Sequence, residues 1–234
     1  SQSDLKLVLL DADIYGPSLH HMLGLAEYQP KLLAGSMVPA NRYGIKLMSM
    51  GFLVPHDSAL IWRGPMITKA LHNLFKKTLW QDCDLLLVDM PPGTGDAYLT
   101  IAKEFPVLGA LLVSTNQQLA LNDLERSIDI FKKYKITLLG LVANQSFWFD
   151  GKQKQYIFGK NLTSKFAKRH HLQLIAEIPV IEAISRAHDN GQPAAKVNPE
   201  SGKIFSQLAN DLKPFGASAK YVSNNLSNLR NGLS

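Results

Sequence analysis

The chain has 234 residues, 46% hydrophobic and 19% charged, with a formal net charge of +6. That length suits one large domain or two small ones with a sizeable core. No apolar run approaches the roughly 20 residues of a membrane span, and the opening "SQSDLK" lacks a signal-peptide core. Cys83 is the only cysteine, so no internal disulfide forms, and a reducing, cytoplasmic setting is expected. The sequence pI is about 9.3. Its basic residues fall in short clusters, at Lys76-Lys77, Lys132-Lys133-Lys135 and Lys165 to His171. These read as solvated helix faces rather than a nucleic-acid groove.

In chain order, "LKLVLLDAD" (Leu5 to Asp13) is an apolar run ending in acids, the pattern of a strand buried on both faces of a parallel sheet. "GIKLMSMGF" (Gly44 to Phe52) is a second strand. "PMITKALHNLFKKTLW" (Pro65 to Trp80) has Met66, Ala70, Leu71, Leu74 and Leu79 at helical spacing, with Pro65 suited to the first turn. "DLLLVDM" is the third strand and "LGALLVST" (Leu108 to Thr115) the fourth. "LALNDLERSIDIFKKY" (Leu119 to Tyr134) is an amphipathic helix, followed by a fifth strand at Ile136 to Asn144. "NLTSKFAKRHH" reads as a helix, "LQLIAEIP" (Leu172 to Pro179) as a sixth strand, and Gly202 to Leu212 as a last helix. Residues 1–213 then form one domain, and the polar segment 214–234 a flexible tail. The alternation predicts an α/β fold: a doubly wound, mostly parallel sheet with helices on both faces. Ligands in such folds bind at the carboxyl ends of the strands.

Those ends carry the informative residues. In "LLLVDMPPGTGD" a buried strand ends in Asp89, as does a strand whose carboxylate anchors Mg²⁺ beside nucleotide phosphates. Pro91-Pro92 opposes helix, while Gly93 and Gly95 permit unusual dihedrals around Thr94, so the loop reads as a switch. In "LLDADIYGPS", Asp11 and Asp13 are expected to point the same way, because the side-chain period of a strand is two. Such a pair could orient an attacking water and support a metal shell. The bland alternative is that they open a turn at Tyr15-Gly16-Pro17. His20-His21 and His170-His171 are poor metal pairs, because neighbours on a helix diverge. Arg63 in "WRGP" is suited either to a phosphate or to a structural turn.

"LLDADIYGPS", "WRGPM", "LLLVDMPPGTGD" and "IFGK", in that order, resemble the Mrp-type iron–sulfur cluster carrier ATPases of the MinD/ParA-like P-loop class, over about residues 5 to 212. The resemblance implies ATP and Mg²⁺ as cofactors and hydrolysis assigned to Asp13. Asp11 lies near the metal and the reacting water, and Asp89 is the Walker B acid. It implies that Asn144 of "NQS" approaches the adenine, that the segment through Pro179 closes over the base, and that Gly93 and Thr94 lie in the nucleotide-sensing loop. A homodimer serving iron–sulfur client or assembly proteins follows, with no specific nucleic acid and no membrane as partner.

Two departures accompany the matches. No G-x-x-x-x-G-K-[ST] occurs in these residues, and in the resembled class that loop follows a strand in the middle of the sheet. The expectation is an N-terminally incomplete domain, with the edges and apolar faces of that strand's neighbours left open. The cluster-binding C-x-x-C is also absent: the span "NQSFWFDGKQKQYIFGK" has Asp150, Gly151, Lys152 and Gln153 where thiolates are expected. Cys83 reads as a small core residue, so the residues argue against a bound cluster even though the resemblance implies its transfer. Two alternatives stand beside the ATPase reading: a cysteine-less dimeric adaptor, and a ParA/MinD-like positioning ATPase.

Overall fold

The computed structural model describes residues 6–53, 64–81 and 83–217. They belong to two compact units. The first holds Ser1–Thr100, Ala187–Pro193 and Gly216–Ser234, and the second Ile101–Arg186 and Ala194–Phe215.

In the first unit β1 (Leu7–Asp11) is followed by the short α1 (Leu19–Met22), a tight hairpin of β2 (Leu32–Leu33) and β3 (Ser36–Met37), and then β4 (Ala40–Arg42) and β5 (Ile45–Ser49). α2 (Gly64–Lys76) leads to β6 (Leu85–Asp89), after which α3 (Asp96–Glu104) begins. The sheet order is β4-β5-β1-β6. β1 runs parallel to both β5 and β6, and only β4 is antiparallel. Val8, Leu10, Leu47 and Met48 are buried on this sheet, and α2 buries Ile67, Leu71 and Leu74. Met66 lies off that stripe and is exposed. α2 stops at Lys76 rather than Trp80, because the Thr78 hydroxyl donates to the Leu74 carbonyl (2.6 Å) and Thr78 pairs with Met37. β5 stops at Ser49, whose hydroxyl accepts from Gly51 N and starts a 3₁₀ turn at Met50–Phe52.

The segment Ala187–Pro193 is joined to this unit by two glycines packed backbone to backbone. Gly24 and Gly191 both have φ of +65°, and a Cβ on Gly191 would stand 2.5 Å from the Gly24 Cα. The Tyr43 hydroxyl donates to the Gly191 carbonyl at 3.2 Å.

The second unit contains β7 (Ala110–Ser114), α4 (Gln118–Lys133), β8 (Leu138–Ala143), the hairpin β9 (Trp148–Phe149) and β10 (Lys154–Gln155), α5 (Leu162–Arg169) and β11 (Leu174–Glu177). α6 (Glu182–Asp189), α7 (Ala194–Val197) and α8 (Pro199–Ala217) follow. The main sheet is β11-β8-β7, parallel throughout. Leu141, Val142 and Ala143 are buried in its central strand, as are Leu121, Ile128 and Phe131 of α4. α8 starts earlier than Gly202 because Asn198 caps it, accepting from Ser201 N at 2.9 Å, with Pro199 in the first turn. It continues to Ala217, past Pro214, where the sequence reading places the start of a tail.

The parallel strands and their helices follow the sequence reading, but the strands form two sheets, one in each unit. Among the described residues β6 pairs only with β1, and β7 only with β8. Each is therefore an open edge, and each shows an apolar side chain: Leu87 is 45% exposed and Val113 55%.

Candidate functional site

The predicted site residues fall into two groups. Asp11, Asp13, Asp89, Gly93 and Thr94 lie in the first unit, and Asn144 and Pro179 in the second.

Asp11 and Asp89 are register partners at the carboxyl ends of β1 and β6, and Ala12 N donates to the Asp89 carbonyl at 2.9 Å. Asp11 is completely buried. Its Oδ2 accepts from the Ser49 hydroxyl (2.9 Å) and from Ser18 N and Leu19 N (3.1 Å each), and its Oδ1 from Asp13 N (3.2 Å). Burial raises its pKa and outweighs the lowering by these hydrogen bonds, that from Ser49 first. A carboxylate so engaged holds the loop after β1 in shape.

β1 ends at Asp11, so the alternation of a strand does not extend to Asp13 and the two carboxylates do not share a face by that rule. The chain turns there instead. Asp13, half-buried as a residue, accepts through Oδ1 from Tyr15 N (3.0 Å) and Gly16 N (3.2 Å), an Asx turn that leaves Oδ2 outside these bonds.

Asp89 is exposed along the open edge of β6. Burial first, then the negative charges of Asp11 and Asp13, push its pKa up to about 6 from the ordinary 3.8. A cation near Asp89 would ease the repulsion among these negative charges. Between pH 3.8 and about 6 the folded chain binds more protons at Asp89 than the unfolded chain does. Stability therefore falls as pH rises through that window and levels off above it. Urea unfolding across this range should show the fall in the parent and a flatter profile in Asp89→Asn.

The loop after β6 passes a buried Pro91, then the exposed Pro92 and Gly93, the latter at φ +85°. Thr94 is half-buried, and a Cβ on Gly93 or Gly95 would meet nothing within 4 Å. The loop enters α3, a helix absent from the sequence reading because Pro91-Pro92 dominates the local pattern. Asp96 begins α3 and lies against the start of α2: a Cβ on Gly64 would stand 2.4 Å from Asp96 Oδ2. The starts of α2 and α3 thus meet at one point, and a side chain at position 64 would have to displace the Asp96 carboxylate. Arg63 lies outside the described residues.

In the second unit Asn144 follows β8. Its backbone N donates to the Ser114 carbonyl at 2.7 Å, and its side-chain oxygen accepts from Gln145 N. The loop is held by a buried network that the sequence did not single out as such. Asn116 Nδ2 donates to Ser146 Oγ (3.0 Å), and Asn116 Oδ1 accepts from Thr163 N (3.1 Å) and Thr163 Oγ1 (2.7 Å). Ser146 Oγ donates to Glu177 Oε1 at 3.1 Å. Strand-end Ser, Thr and Asn residues near Pro179, itself buried, were the available signal. Among the described residues no group of three or more His, Cys, Asp or Glu side chains is arranged to hold a metal ion. Cys83 is half-buried, and burial followed by the charge of Asp84 pushes its thiol up to about 11. It is thus a poor thiolate donor at neutral pH.

Parallel strands tipped with acids and flanked by helices give the chain the α/β fold of the MinD/ParA-like P-loop NTPases. A solved nucleotide-binding protein from Archaeoglobus fulgidus, in complex with ADP, has this fold: TM-score 0.71 and 30% identity, covering 83% of this chain and 77% of that one. More narrowly, the chain belongs to the ParA family of NUBPL iron-transfer P-loop NTPases, whose model matches residues 1–213. It is 39% identical over 216 residues to the iron-sulfur cluster carrier protein of Helicobacter pylori, covering 90% of this chain but 59% of the relative. It is 41% identical over 214 residues to an Arabidopsis thaliana iron-sulfur protein required for NADH dehydrogenase, mitochondrial, covering 91% of this chain and 68% of that protein. The chain thus spans about three fifths of the first relative's length. No described helix is long and apolar enough to cross a membrane.

Proposed function

We propose that this chain is the nucleotide-responsive part of an iron–sulfur cluster carrier, with Asp89 as metal anchor and Asp13 as the residue that orients the attacking water. The observation that carries the reading is the carboxylate concentration at the ends of β1 and β6, with the Asp89 pKa pushed up to about 6. A bound cation would ease this repulsion, and Asp13 and Asp89 offer the hard oxygen donors Mg²⁺ takes. When bound, Mg²⁺ would offset phosphate charge. Asp11, buried and engaged by four donors, acts through the loop it holds and is a positioning residue. Gly93 and Thr94 change shape with the nucleotide, and Asn144 meets the base, its loop set by Asn116 and Ser146. The active form is a homodimer in a reducing compartment.

Two preparations test this: the 234 residues alone, and the same residues joined to the coding sequence upstream. Calorimetry should show weak or no ATP binding by the first, because the backbone N–H cradle is missing. The second should hydrolyse ATP with Mg²⁺. Asp89→Ala should abolish that turnover, and Asp13→Ala should slow it by about 10²-fold or more while sparing ATP binding. Unchanged turnover in both variants refutes the assignment.

A second reading, an adaptor that carries no cluster, is favoured by one observation: the lone cysteine is half-buried with its pKa raised to about 11. In the same preparations, anaerobic reconstitution with iron and sulfide should leave no cluster absorption after desalting, with Cys83→Ser indistinguishable from the parent. A stoichiometric cluster lost in Cys83→Ser would remove the adaptor.

A further inference from the structure

Charge is spread unevenly along the chain. Ile130 to Ala176 holds nine Lys and Arg residues and one acid, Asp150, whose carboxylate accepts from Lys152 N and Gln153 N. That excess is larger than the net charge of +6 of the whole chain, so the remaining residues are net acidic. The second unit gathers six of the nine cations on two neighbouring helices. Lys132 and Lys133 end α4, Lys135 follows it, and Lys165, Lys168 and Arg169 lie on α5; all six are exposed. Glu125 of α4 ties the two helices together: Arg169 Nη2 donates to its Oε2 at 2.9 Å, and His170 Nε2 stands 3.3 Å from Oε1. The helices end where the chain returns to β8 and β11, so their carboxyl ends lie at the amino end of this parallel sheet. Asn144 lies at the other end, about 20 Å away along the six residues of β8.

Helix dipoles account for part of this pattern. A helix C-terminus carries about half a negative charge, which a cation in the last turn offsets. Lys132, Lys133, Lys168 and Arg169 exceed that need, and Lys135 and Lys165 stand outside the last turns. The patch also has a border. Asp123, Glu125 and Asp129 stand on the preceding turns of α4, so a long polyanion crossing this face would meet acids as well as lysines. Among the described residues no exposed large apolar side chain falls in 130–136 or 161–172, and Phe131 and Phe166 are buried. Bilayer insertion and base stacking therefore lack an anchor here. A short acidic segment fits inside the border.

We propose that this face, formed by α5 and the carboxyl end of α4, docks an acidic segment of a partner protein, whose Asp and Glu carboxylates meet Lys132, Lys133, Lys135, Lys165, Lys168 and Arg169. The contact leaves the Asn144 end of the sheet open. It requires neither nucleotide nor cluster.

The test uses the intact chain and fluorescence anisotropy of a labelled peptide in which glutamate alternates with serine, beside one with glutamine in place of glutamate. The acidic peptide should bind, more weakly as salt is added, and the glutamine peptide should not. Lys132→Glu with Lys168→Glu should weaken binding about tenfold or more. Lys135→Gln with Lys165→Gln, outside the last helical turns, should weaken it about threefold and decides the matter if the first variant does not fold. Lys76→Glu with Lys77→Glu changes the net charge as much as the first variant does, at the exposed carboxyl end of α2, and should bind as the parent does. Circular dichroism establishes that each variant is folded. Equal binding of the two peptides, or an equal loss in the Lys76/Lys77 variant, overturns the proposal. So does tighter binding of a DNA duplex or of phosphatidylglycerol vesicles at the same concentration of anionic groups, lost in the Lys132/Lys168 variant, which would assign the face to a nucleic acid or a bilayer.

Discussion

Asp11→Ala should destabilise the first unit by about 3–5 kcal/mol, because a buried acceptor is removed and its donors are left without it. The carboxylate serves the Ser49 hydroxyl and the backbone N–H groups of Ser18, Leu19 and Asp13. Alanine leaves these pointing into a cavity, and only some can turn to water. Asp11→Asn should fall between parent and alanine, since one oxygen remains while an NH₂ group faces a donor. Asp89→Asn makes the contrast. Removing a charge that stands against Asp11 and Asp13 should leave stability at neutral pH equal to the parent's or higher. Urea midpoints for the three variants at one pH decide the matter. A loss in Asp11→Ala no larger than in Asp89→Asn would show that the hydrogen bonds around Asp11 do not hold the unit together.

Gly191→Ala should cost about 2–5 kcal/mol, combining a left-handed backbone with a clash that neither side chain nor loop can absorb. The new Cβ would lie 2.5 Å from Gly24 Cα and 2.7 Å from Gly24 N, and both of those are backbone atoms. Gly35→Ala is the matched control. Gly35 also has positive φ, +78°, but nothing lies within 4 Å of the added carbon. Its cost should be only about 1–2 kcal/mol, the conformational part alone. Equal urea midpoints for the two variants would mean that the Gly24–Gly191 contact contributes nothing beyond backbone preference. A larger loss in Gly191→Ala than in Gly35→Ala places the effect in the packing of Gly191 against Gly24.

Much of this protein was legible before folding was considered. Leu85 to Asp89 and Leu7 to Asp11 are runs of apolar residues closed by an acid, and both became parallel strands with the acid at the carboxyl end. α4 was legible from the spacing of Leu121, Ile128 and Phe131. Less visible were elements whose signal is short or masked by a stronger neighbour. α3 follows a double proline, and β9 and β10 are two residues each, too short to show alternation. The start of α8 was available in "NPES", where Asn198 caps and Pro199 follows, but the cap carries no periodicity.

Composition and pattern alone determined the class of fold, the long parallel strands with α2, α4, α5 and much of α8, the acids at strand ends and the single cysteine. These are local properties: periodicity, propensity and residue identity act within a few positions of themselves. The tertiary structure decided what each acid can do. Asp11 and Asp13 look equivalent in "LLDADIYGPS", yet one is sealed by a hydroxyl from Ser49, 38 positions away, and the other closes an Asx turn. Asp89 differs from both because it lies on an open strand edge, within reach of their charges. Gly24 and Gly191 are ordinary turn glycines until the fold sets their backbones in contact. Burial, hydrogen-bond partners and the field at a carboxylate are set by atoms far apart in the chain, so only the folded arrangement can assign them.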